Sequence, residues 1–364
     1  MPDFNFVDNP DVMVSQLCGH DRIGVDTEFV RERTFYAELC LVQIAAPDGI
    51  FCVDPLAGDD HAAFWEQLLD RLWITHSARQ DIEVIYQAAE RMPKTLFDTQ
   101  IAAGLAGYAP QLGYAGLVAE LFGVELPKSH TRADWSQRPL PRALLEYAAE
   151  DVEYLLPAYE ALAERLEKRG RLDWAKQDSA LLLDPALYVS DPEQAIQRVK
   201  GAKNLRGRKR NAARRLAAWR ERRAMRINKP RRWILRDNVL VALASRLPAT
   251  ERDLQAIDGL PRRLAEREGG QLLAEIRQAG NDTHDDAHSD RRPAAPDERQ
   301  KSMLESMQRA VDECAGDLGL PAEVIAPKRE LSAAVVAGVR DSRVFTGWRG
   351  ALIGERLTGM LDSD

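Results

Sequence analysis

The sequence predicts an α/β domain with a mixed sheet flanked by helices, followed by two small all-helical domains. Short apolar runs alternate with helical patterns as far as residue 98, as is typical of a sheet with helices on its faces. Strand signals are absent between residues 198 and 278, and a polar stretch then divides the helical part. The predicted domains are 1–185, 198–281 and 297–364, with a linker at 282–296.

The spacing of apolar residues predicts the elements of the first domain. Residues 1–20 favour a turn and a short helix. Strands are predicted from apolar runs at 22–25, 38–45, 49–54, 72–76 and 96–98, and the short connections between the first runs favour an antiparallel meander. Helices are predicted at 61–72, 102–108, 117–122 and 142–169, and a further helix is predicted to begin at residue 80. Pro157 should kink the last helix, because proline has no amide hydrogen.

The charge is distributed unevenly along the chain. The net charge is −7, yet residues 198–236 contain seventeen Lys and Arg against one acid, Glu221. A local basic field on an acidic chain indicates a nucleic-acid partner, although such residues can also form a solvated face. We interpret Trp219 and Trp233, in the same segment, as core residues. The basic residues singled out are Lys203, Arg206, Arg208, Lys209, Arg210, Arg214, Arg215, Arg222 and Arg223.

Several classes of protein are disfavoured by the sequence. No apolar run approaches the length that spans a bilayer, so no membrane partner is expected. The first residues lack the basic and apolar regions of a secretion signal, so a cytoplasmic location is the default expectation. The four cysteines lack metal-finger spacing and are expected to be free thiols. The expected oligomeric state is a monomer, and no protein partner is predicted.

A pair of acids follows the first predicted strand. Asp26 and Glu28 are two residues apart, and strand side chains two apart lie on the same face. Two carboxylates held together repel and lose solvation unless a cation joins them, and hard ions such as Mg²⁺ or Mn²⁺ suit carboxylate oxygens. The ordinary alternative is a strand end whose acids face water. The pair alone does not decide between these interpretations.

Three further residues complete the candidate site. Asp81 lies at the start of a predicted helix, where the helix dipole favours an anion. Tyr147 and Asp151 are four apart on the long predicted helix and share a face. Each has an ordinary explanation alone: a helix-start charge, a half-buried core tyrosine and a surface acid.

Together, in this order and spacing, these residues resemble the DEDD superfamily of 3′→5′ exonucleases in its tyrosine-bearing branch. Asp26-Thr-Glu-Phe29 resembles the first exonuclease motif, His76-Ser-Ala-Arg-Gln-Asp81 the second and Tyr147-Ala-Ala-Glu-Asp151 the third. Within the superfamily, segments 29–36, 128–135 and 138–140 are similar to the bacterial ribonuclease D family. Residues from about 204 to 280 resemble the helicase-and-RNase-D C-terminal (HRDC) domain, and 347–354 resembles the end of a second one.

The resemblance implies an RNase H-like sheet and a hydrolysis that uses two divalent metal ions, Mg²⁺ or Mn²⁺. Asp26, Glu28 and Asp151 would hold one ion, and Asp26 would bridge to a second ion on the Asp81 side. Tyr147 would orient and deprotonate the attacking water. The implied activity is a 3′→5′ exoribonuclease that releases nucleoside monophosphates. Its implied partners are tRNA precursors and other structured RNAs with 3′ extensions, with the basic domain binding RNA.

Substrate contacts are predicted around these motifs. Thr27 is expected to meet the terminal nucleotide through its backbone and Phe29 by packing. Further candidate contacts are His76, Lys128, Arg132 and Trp135. Lys128 and Arg132 could neutralise phosphates, and Trp135 could stack on a base. A proofreading-type DNA exonuclease is an alternative, but no polymerase region accompanies the motifs. A non-catalytic RNA-binding scaffold is a third hypothesis, which the intact set of acids opposes.

Overall fold

The structure is a computed structural model that describes residues 2–58, 61–127, 133–282 and 296–362. The predicted contacts Lys128 and Arg132, and nearly all of the predicted linker, therefore lie outside the described residues. The chain divides into two compact units. The sheet unit comprises residues 1–30, 39–188 and 293–364, and the helical unit comprises residues 31–38 and 189–292.

A six-stranded mixed sheet forms the centre of the sheet unit. The strands lie in the order β1-β4-β3-β2-β5-β6. The pair β3–β4 is antiparallel, and the pairs β1–β4, β2–β5 and β5–β6 are parallel. The mixed sheet predicted from the sequence is therefore confirmed. The strands are β1 (Phe4–Val7), β2 (Arg22–Val30), β3 (Glu38–Ala46), β4 (Gly49–Val53), β5 (Leu72–Thr75) and β6 (Thr95–Asp98).

The first strand differs from the sequence-based expectation. Residues 1–20 were expected to form a turn and a short helix, but Phe4–Val7 pairs parallel with β4 before the short helix begins. Four residues are too few to show an alternating pattern, so the strand depends on its neighbour for its hydrogen bonds. The predicted antiparallel meander holds for β3 and β4, whereas β1 adds a parallel edge.

Helices cover the sheet and carry most of the apolar core. Two clusters of buried side chains pack α4, α7 and α8 against one part of the sheet and α6 against another. The helices of this part are α1 (Met13–Gln16), α2 (Ala62–Leu69), α3 (Arg79–Ala89), α4 (Thr99–Leu105), α5 (Tyr114–Phe122), α6 (Arg142–Glu153), α7 (Leu155–Lys168) and α8 (Leu172–Ala180).

The long helix predicted at 142–169 is interrupted between α6 and α7. The interruption falls at Tyr154, three residues before Pro157, because the proline ring would collide with the carbonyl of the residue four positions earlier, Glu153. α7 lies directly on the sheet: a Cβ atom at Gly24 would come within 3.0 Å of the Leu155 Cβ. A larger residue at position 24 would therefore push α7 away from β2.

The C-terminal helices pack within the sheet unit. The indole of Trp348 stacks on that of Trp174 with ring centroids 4.3 Å apart, and the Arg349 guanidinium forms two hydrogen bonds of 2.6 and 2.7 Å with the buried Asp178 carboxylate of α8. The domain boundary at 297 remains a prediction. The C-terminal helices are α14 (Glu298–Leu318), α15 (Ala322–Ile325), α16 (Lys328–Ala337), α17 (Gly347–Arg349) and α18 (Glu355–Asp362).

The helical unit is all-α over its described residues, as the sequence predicts. Its core includes Trp219, which is 6% exposed, as expected, and Phe35 from the 31–38 arm. Trp233, in contrast, is 61% exposed, so its interpretation as a core residue was wrong. The helices are α9 (Gly207–Arg226), α10 (Arg231–Ile234), α11 (Asp237–Arg246), α12 (Glu251–Gln255) and α13 (Arg262–Gln278).

Candidate active site

Three of the predicted acids converge where α6 crosses β2. Asp26 and Glu28 lie two residues apart on β2, and Asp151 comes from the last turns of α6. One carboxylate oxygen from each residue lies within 4.8 Å of the other two. The period-two alternation of the strand puts the first pair on one face, and the packing of α6 against that face adds the third acid.

Asp81 joins the group from the first turn of α3. The Thr27 hydroxyl donates a 2.6 Å hydrogen bond to the Asp81 carboxylate, and both residues are buried. The charge of Asp81 contributes to the raised pKa of Asp26, because the two carboxylates are close. Thr27 was predicted to contact substrate through its backbone; in this structure its side chain fixes the fourth acid.

The electrostatics of the site favour a bound cation. Burial, followed by repulsion from Asp81, Asp151 and Glu28, raises the pKa of Asp26 well above its ordinary value. Burial and repulsion from Asp151 and Asp81 raise the pKa of Glu28 to about 8. Burial is also the main reason that the pKa of Asp81 rises to about 7 and that of Asp151 to about 6. Partly buried carboxylates that repel one another are a fitting donor set for a hard divalent ion.

Tyr147 lies beside these acids on α6. Its hydroxyl hydrogen-bonds the Asp151 carboxylate and partly offsets the raised pKa of that acid. Its ring packs against the Trp135 ring, with centroids 6.2 Å apart. Trp135 is 4% exposed, so this structure presents it as a support for Tyr147 rather than as a surface for a base.

The other predicted substrate contacts differ in their surroundings. His76 is half-buried, with its Nδ1 atom 2.9 Å from the Thr99 hydroxyl and its Nε2 atom 2.9 Å from the Leu112 carbonyl. Both of its nitrogens therefore bind protein groups and connect β5 to α4 and to the loop before α5. Phe29, at the end of β2, is half-buried beside Glu28 and keeps part of its ring accessible.

Asp98 is an important residue that sequence reasoning missed. Its carboxylate is 2% exposed and accepts four backbone N–H groups. Two of them belong to Gln100 and Ile101 at the start of α4, at 2.8 and 3.2 Å. The other two belong to Ser77 and Ala78 in the turn before α3, at 3.2 and 2.8 Å.

The turn that Asp98 holds is strained. Ser77 has φ 65°, a left-handed conformation that is uncommon for residues other than glycine. The turn leads directly into α3, so Asp98 sets the position from which Asp81 enters the site. The sequence around Asp98 is a recognisable helix cap, but the second pair of hydrogen bonds depends on the tertiary fold.

Tyr114, at the start of α5, was also missed. Its hydroxyl accepts the backbone N–H of Tyr154 at 2.9 Å, at the interruption between α6 and α7. Burial raises the pKa of Tyr114, and the charges of Asp151 and Asp26 raise it further. The neutral phenol therefore anchors the end of the helix that carries Tyr147 and Asp151.

This fold, with a carboxylate cluster and a tyrosine on a central strand of a mixed sheet and the helix packed on it, defines the class of divalent-metal-dependent 3′→5′ exonucleases. The 3′-5′ exonuclease family matches residues 7–167, and the HRDC domain family matches residues 209–276. Within the part of the chain that the structure describes, no helix is both long enough and apolar enough to cross a bilayer.

Comparison with known proteins identifies the family. The chain is 36% identical over 354 residues to ribonuclease D of Gluconacetobacter diazotrophicus, covering 96% of this chain and 90% of the relative. It is 34% identical to ribonuclease D of Pseudomonas paraeruginosa over 97% of this chain and 96% of the relative. The crystal structure of Escherichia coli RNase D, an exoribonuclease involved in structured RNA processing, matches with a TM-score of 0.84 at 27% identity over 99% of both chains. The chain belongs to the ribonuclease D family and is a 3′→5′ exoribonuclease.

The raised pKa values predict how the stability of the metal-free protein depends on pH. Glu28, Asp81 and Asp151 titrate at about 8, 7 and 6 in the folded state, whereas unfolded carboxyl groups titrate near 4. The folded protein therefore binds more protons than the unfolded chain between these values, so this contribution to stability is lost as pH rises from about 4 to about 8. We expect the melting temperature in chelator to fall between pH 5.5 and 8, and Mg²⁺ to raise it more at pH 8.

Scanning fluorimetry at both pH values would measure this effect. Glu28→Gln is the comparison variant, because it removes one of the repelling charges and should flatten the pH dependence. A melting temperature that responds to pH equally in the two proteins would contradict the prediction.

A second prediction concerns Asp98. Asp98→Asn replaces the Oδ2 atom that accepts the N–H of Ala78 with an NH2 group, which cannot accept a hydrogen bond. We expect the free energy of unfolding to fall by about 1–3 kcal/mol, and the affinity for Mg²⁺ to weaken by roughly 10- to 100-fold because Asp81 is displaced. Asp184→Asn is the control, since Asp184 accepts the single N–H of Ala186 at an exposed position.

Calorimetric titration with Mg²⁺ and urea unfolding would measure both quantities. If Asp98→Asn lowered stability but bound Mg²⁺ as tightly as the unaltered chain, Asp98 would be a structural cap without influence on Asp81.

Proposed function

We propose that the enzyme trims the 3′ ends of structured RNAs, tRNA precursors among them, and releases nucleoside monophosphates. The observation that carries this proposal is the convergence of Asp26, Glu28, Asp81 and Asp151 beside the Tyr147 hydroxyl. The similarity to the Escherichia coli enzyme over the whole chain supports structured RNA as the substrate class. We further propose that the four acids hold two divalent ions.

Divalent ions at such a site neutralise the charge of the phosphodiester and make water a better nucleophile near neutral pH. Asp26, Glu28 and Asp151, with oxygens within 4.8 Å of one another, would serve as ligands to these ions, and Asp81, held by its hydrogen bond with Thr27, would be the fourth ligand. Partial burial raises the pKa of these carboxylates, and the lower local dielectric strengthens their interaction with a cation.

Tyr147 is proposed to act on the attacking water. Its hydroxyl is held by the Asp151 carboxylate, and Trp135 packs against its ring. With the phenol oriented in this way and ionised by loss of its proton to solvent, which nearby divalent cations would favour, its oxygen would take a proton from the attacking water. Trp135 is thus a positioning residue in our proposal.

The terminal nucleotide is proposed to lie against the end of β2. Phe29 retains an accessible part of its ring there, and Thr27 contributes backbone groups. His76 is proposed to act by holding Thr99 and the Leu112 carbonyl in place. Phosphate contacts by Lys128 and Arg132 remain proposals from the sequence.

RNA is favoured over DNA as the substrate. The ribonuclease D relatives cover nearly the whole chain, and the HRDC match lies in the basic region. A non-catalytic scaffold would have no need for a cluster of acids whose pKa values are raised, so the cluster opposes that alternative.

Assay of a 3′-extended tRNA tests the proposal. In Mg²⁺ we expect mononucleotides to be released from the 3′ end, and chelator to abolish the release. Asp151→Asn should lower the rate by at least about 100-fold, because it removes a ligand and the partner of Tyr147. Asp173→Asn, which changes an exposed acid of α8, should leave the rate within about twofold of the unaltered enzyme.

A DNA strand of matched sequence completes the experiment. Faster release from DNA would favour the proofreading-type alternative. Undiminished cleavage by Asp151→Asn would remove the basis of the assignment.

The role of Tyr147 gives a further prediction. Tyr147→Phe keeps the ring against Trp135 but lacks the hydroxyl, so kcat should fall by roughly 100- to 10,000-fold, while RNA binding stays within about threefold. Single-turnover kinetics and fluorescence anisotropy would measure the two effects. Tyr86→Phe on α3 is the matched control and should alter neither. Equal losses of kcat and affinity would show that Tyr147 serves binding rather than the chemical step.

A further inference from the structure

Most arginines singled out on α9 are paired with acids of the helical unit itself. Arg214 and Arg215 bind the Asp282 carboxylate, each at 2.8 Å. Arg222 pairs with Glu193 at 3.1 Å, and Arg223 pairs with the buried Glu268 at 2.5 Å. These side chains stabilise the bundle, so the basic composition of the segment overstates the charge that it offers to a polyanion.

The segment 226–236, which begins at the last residue of α9, differs in that several of its cations have no ion-pair partner in the part of the chain that the structure describes. Arg226, Lys229, Arg232 and Arg236 are exposed, and no carboxylate of the described residues forms an ion pair with any of them. Trp233 lies among them with 61% of its surface exposed and is the only exposed aromatic residue in the described part of the helical unit. We call this set, together with the exposed Ile227, the Trp233 surface.

The Trp233 surface is built on a well-anchored turn. The Asn228 side-chain oxygen accepts the backbone N–H groups of Phe35 and Tyr36 at 3.0 and 3.1 Å. Arg231 pairs with the buried Glu221 and lies 4.3 Å from the centroid of the Phe35 ring. Ile234, next to Trp233, points into the core. Contacts on both sides of Trp233 in the sequence therefore hold its backbone in place, and its indole is exposed from an anchored segment.

An exposed tryptophan costs free energy in water unless a partner covers it. Its surroundings indicate the partner: unpaired cations on both sides in the sequence attract a polyanion, and an indole face stacks on an unpaired base with little regard to sequence. A protein partner would be expected to meet a broader apolar patch, whereas Ile227 is the only other exposed large apolar residue here.

We propose that the Trp233 surface binds an unpaired segment of the RNA substrate, with Trp233 stacked on a base and the four cations facing phosphates. This inference rests on the proposed function, since it assumes an RNA substrate. It assigns a specific RNA contact to the HRDC domain. The paired arginines of α9, in contrast, serve mainly to stabilise that domain.

Anisotropy measurements with the full chain would test the inference, using a labelled 3′-extended tRNA in chelator so that the RNA is not cleaved. Trp233→Ala should weaken binding by about 5- to 100-fold, since stacking contributes roughly 1–3 kcal/mol per base. Because stacking carries no charge, the dependence of affinity on salt should stay the same. Trp233→Phe should retain most of the affinity.

Variants of the cations provide an independent measurement. Arg232→Ala should reduce the slope of log affinity against log salt by about 0.7, as expected for one phosphate contact on a single strand. Arg262→Ala is the control, because Arg262 is 91% exposed and already paired with Glu266. It should change neither the affinity nor the slope.

The outcomes separate this inference from the proposed function. The inference is overturned if Trp233→Ala binds RNA as tightly as the unaltered chain. It is also overturned if Trp233→Ala loses no more affinity than Arg262→Ala. Cleavage of a short RNA by the same variant would then leave the proposed function standing. A melting temperature within about 2 °C of the unaltered chain is expected for Trp233→Ala, because the replaced side chain lies outside the core.

Discussion

The close approach of four carboxylates, three of them half-buried and Asp81 buried, is the constraint on which the rest of this structure depends. Burial raises the pKa values of Asp26, Glu28, Asp81 and Asp151, and repulsion from the neighbouring acids raises those of Asp26 and Glu28 further. The arrangement opposes folding in the absence of a cation, so the scaffold must hold it by other means. The same repulsion favours a bound divalent ion, so metal binding and the instability of the metal-free protein have one physical origin.

The scaffold meets this constraint with hydrogen bonds close to the acids. Thr27 binds the Asp81 carboxylate, Asp98 holds the strained turn before α3, and Tyr114 anchors the junction of α6 and α7. The hydroxyl of Ser179 accepts the Asp98 N–H at 3.0 Å. The preceding residue in α8, Asp178, binds Arg349, so buried hydrogen bonds connect the C-terminal helices to α8.

Charge is used in two ways in the helical unit. Most of the arginines that we singled out on α9 pair with acids that are distant in the sequence, and they hold the bundle together. A smaller group lies around Trp233 without such partners. An acidic chain with a net charge of −7 can in this way present a local basic surface, and the net charge alone would not reveal it.

The sequence by itself determined the mixed sheet, most of its helices and strands, and the set of residues that form the acidic cluster. Strand alternation and helix periodicity are local properties, and motif spacing reports which side chains share a face. Only the tertiary structure decided the hydrogen bonds of Thr27 and Asp98, the burial of Trp135, the exposure of Trp233 and the pairing of β1. Each of these depends on which distant segment packs against the residue. The local pattern of the sequence does not specify that contact.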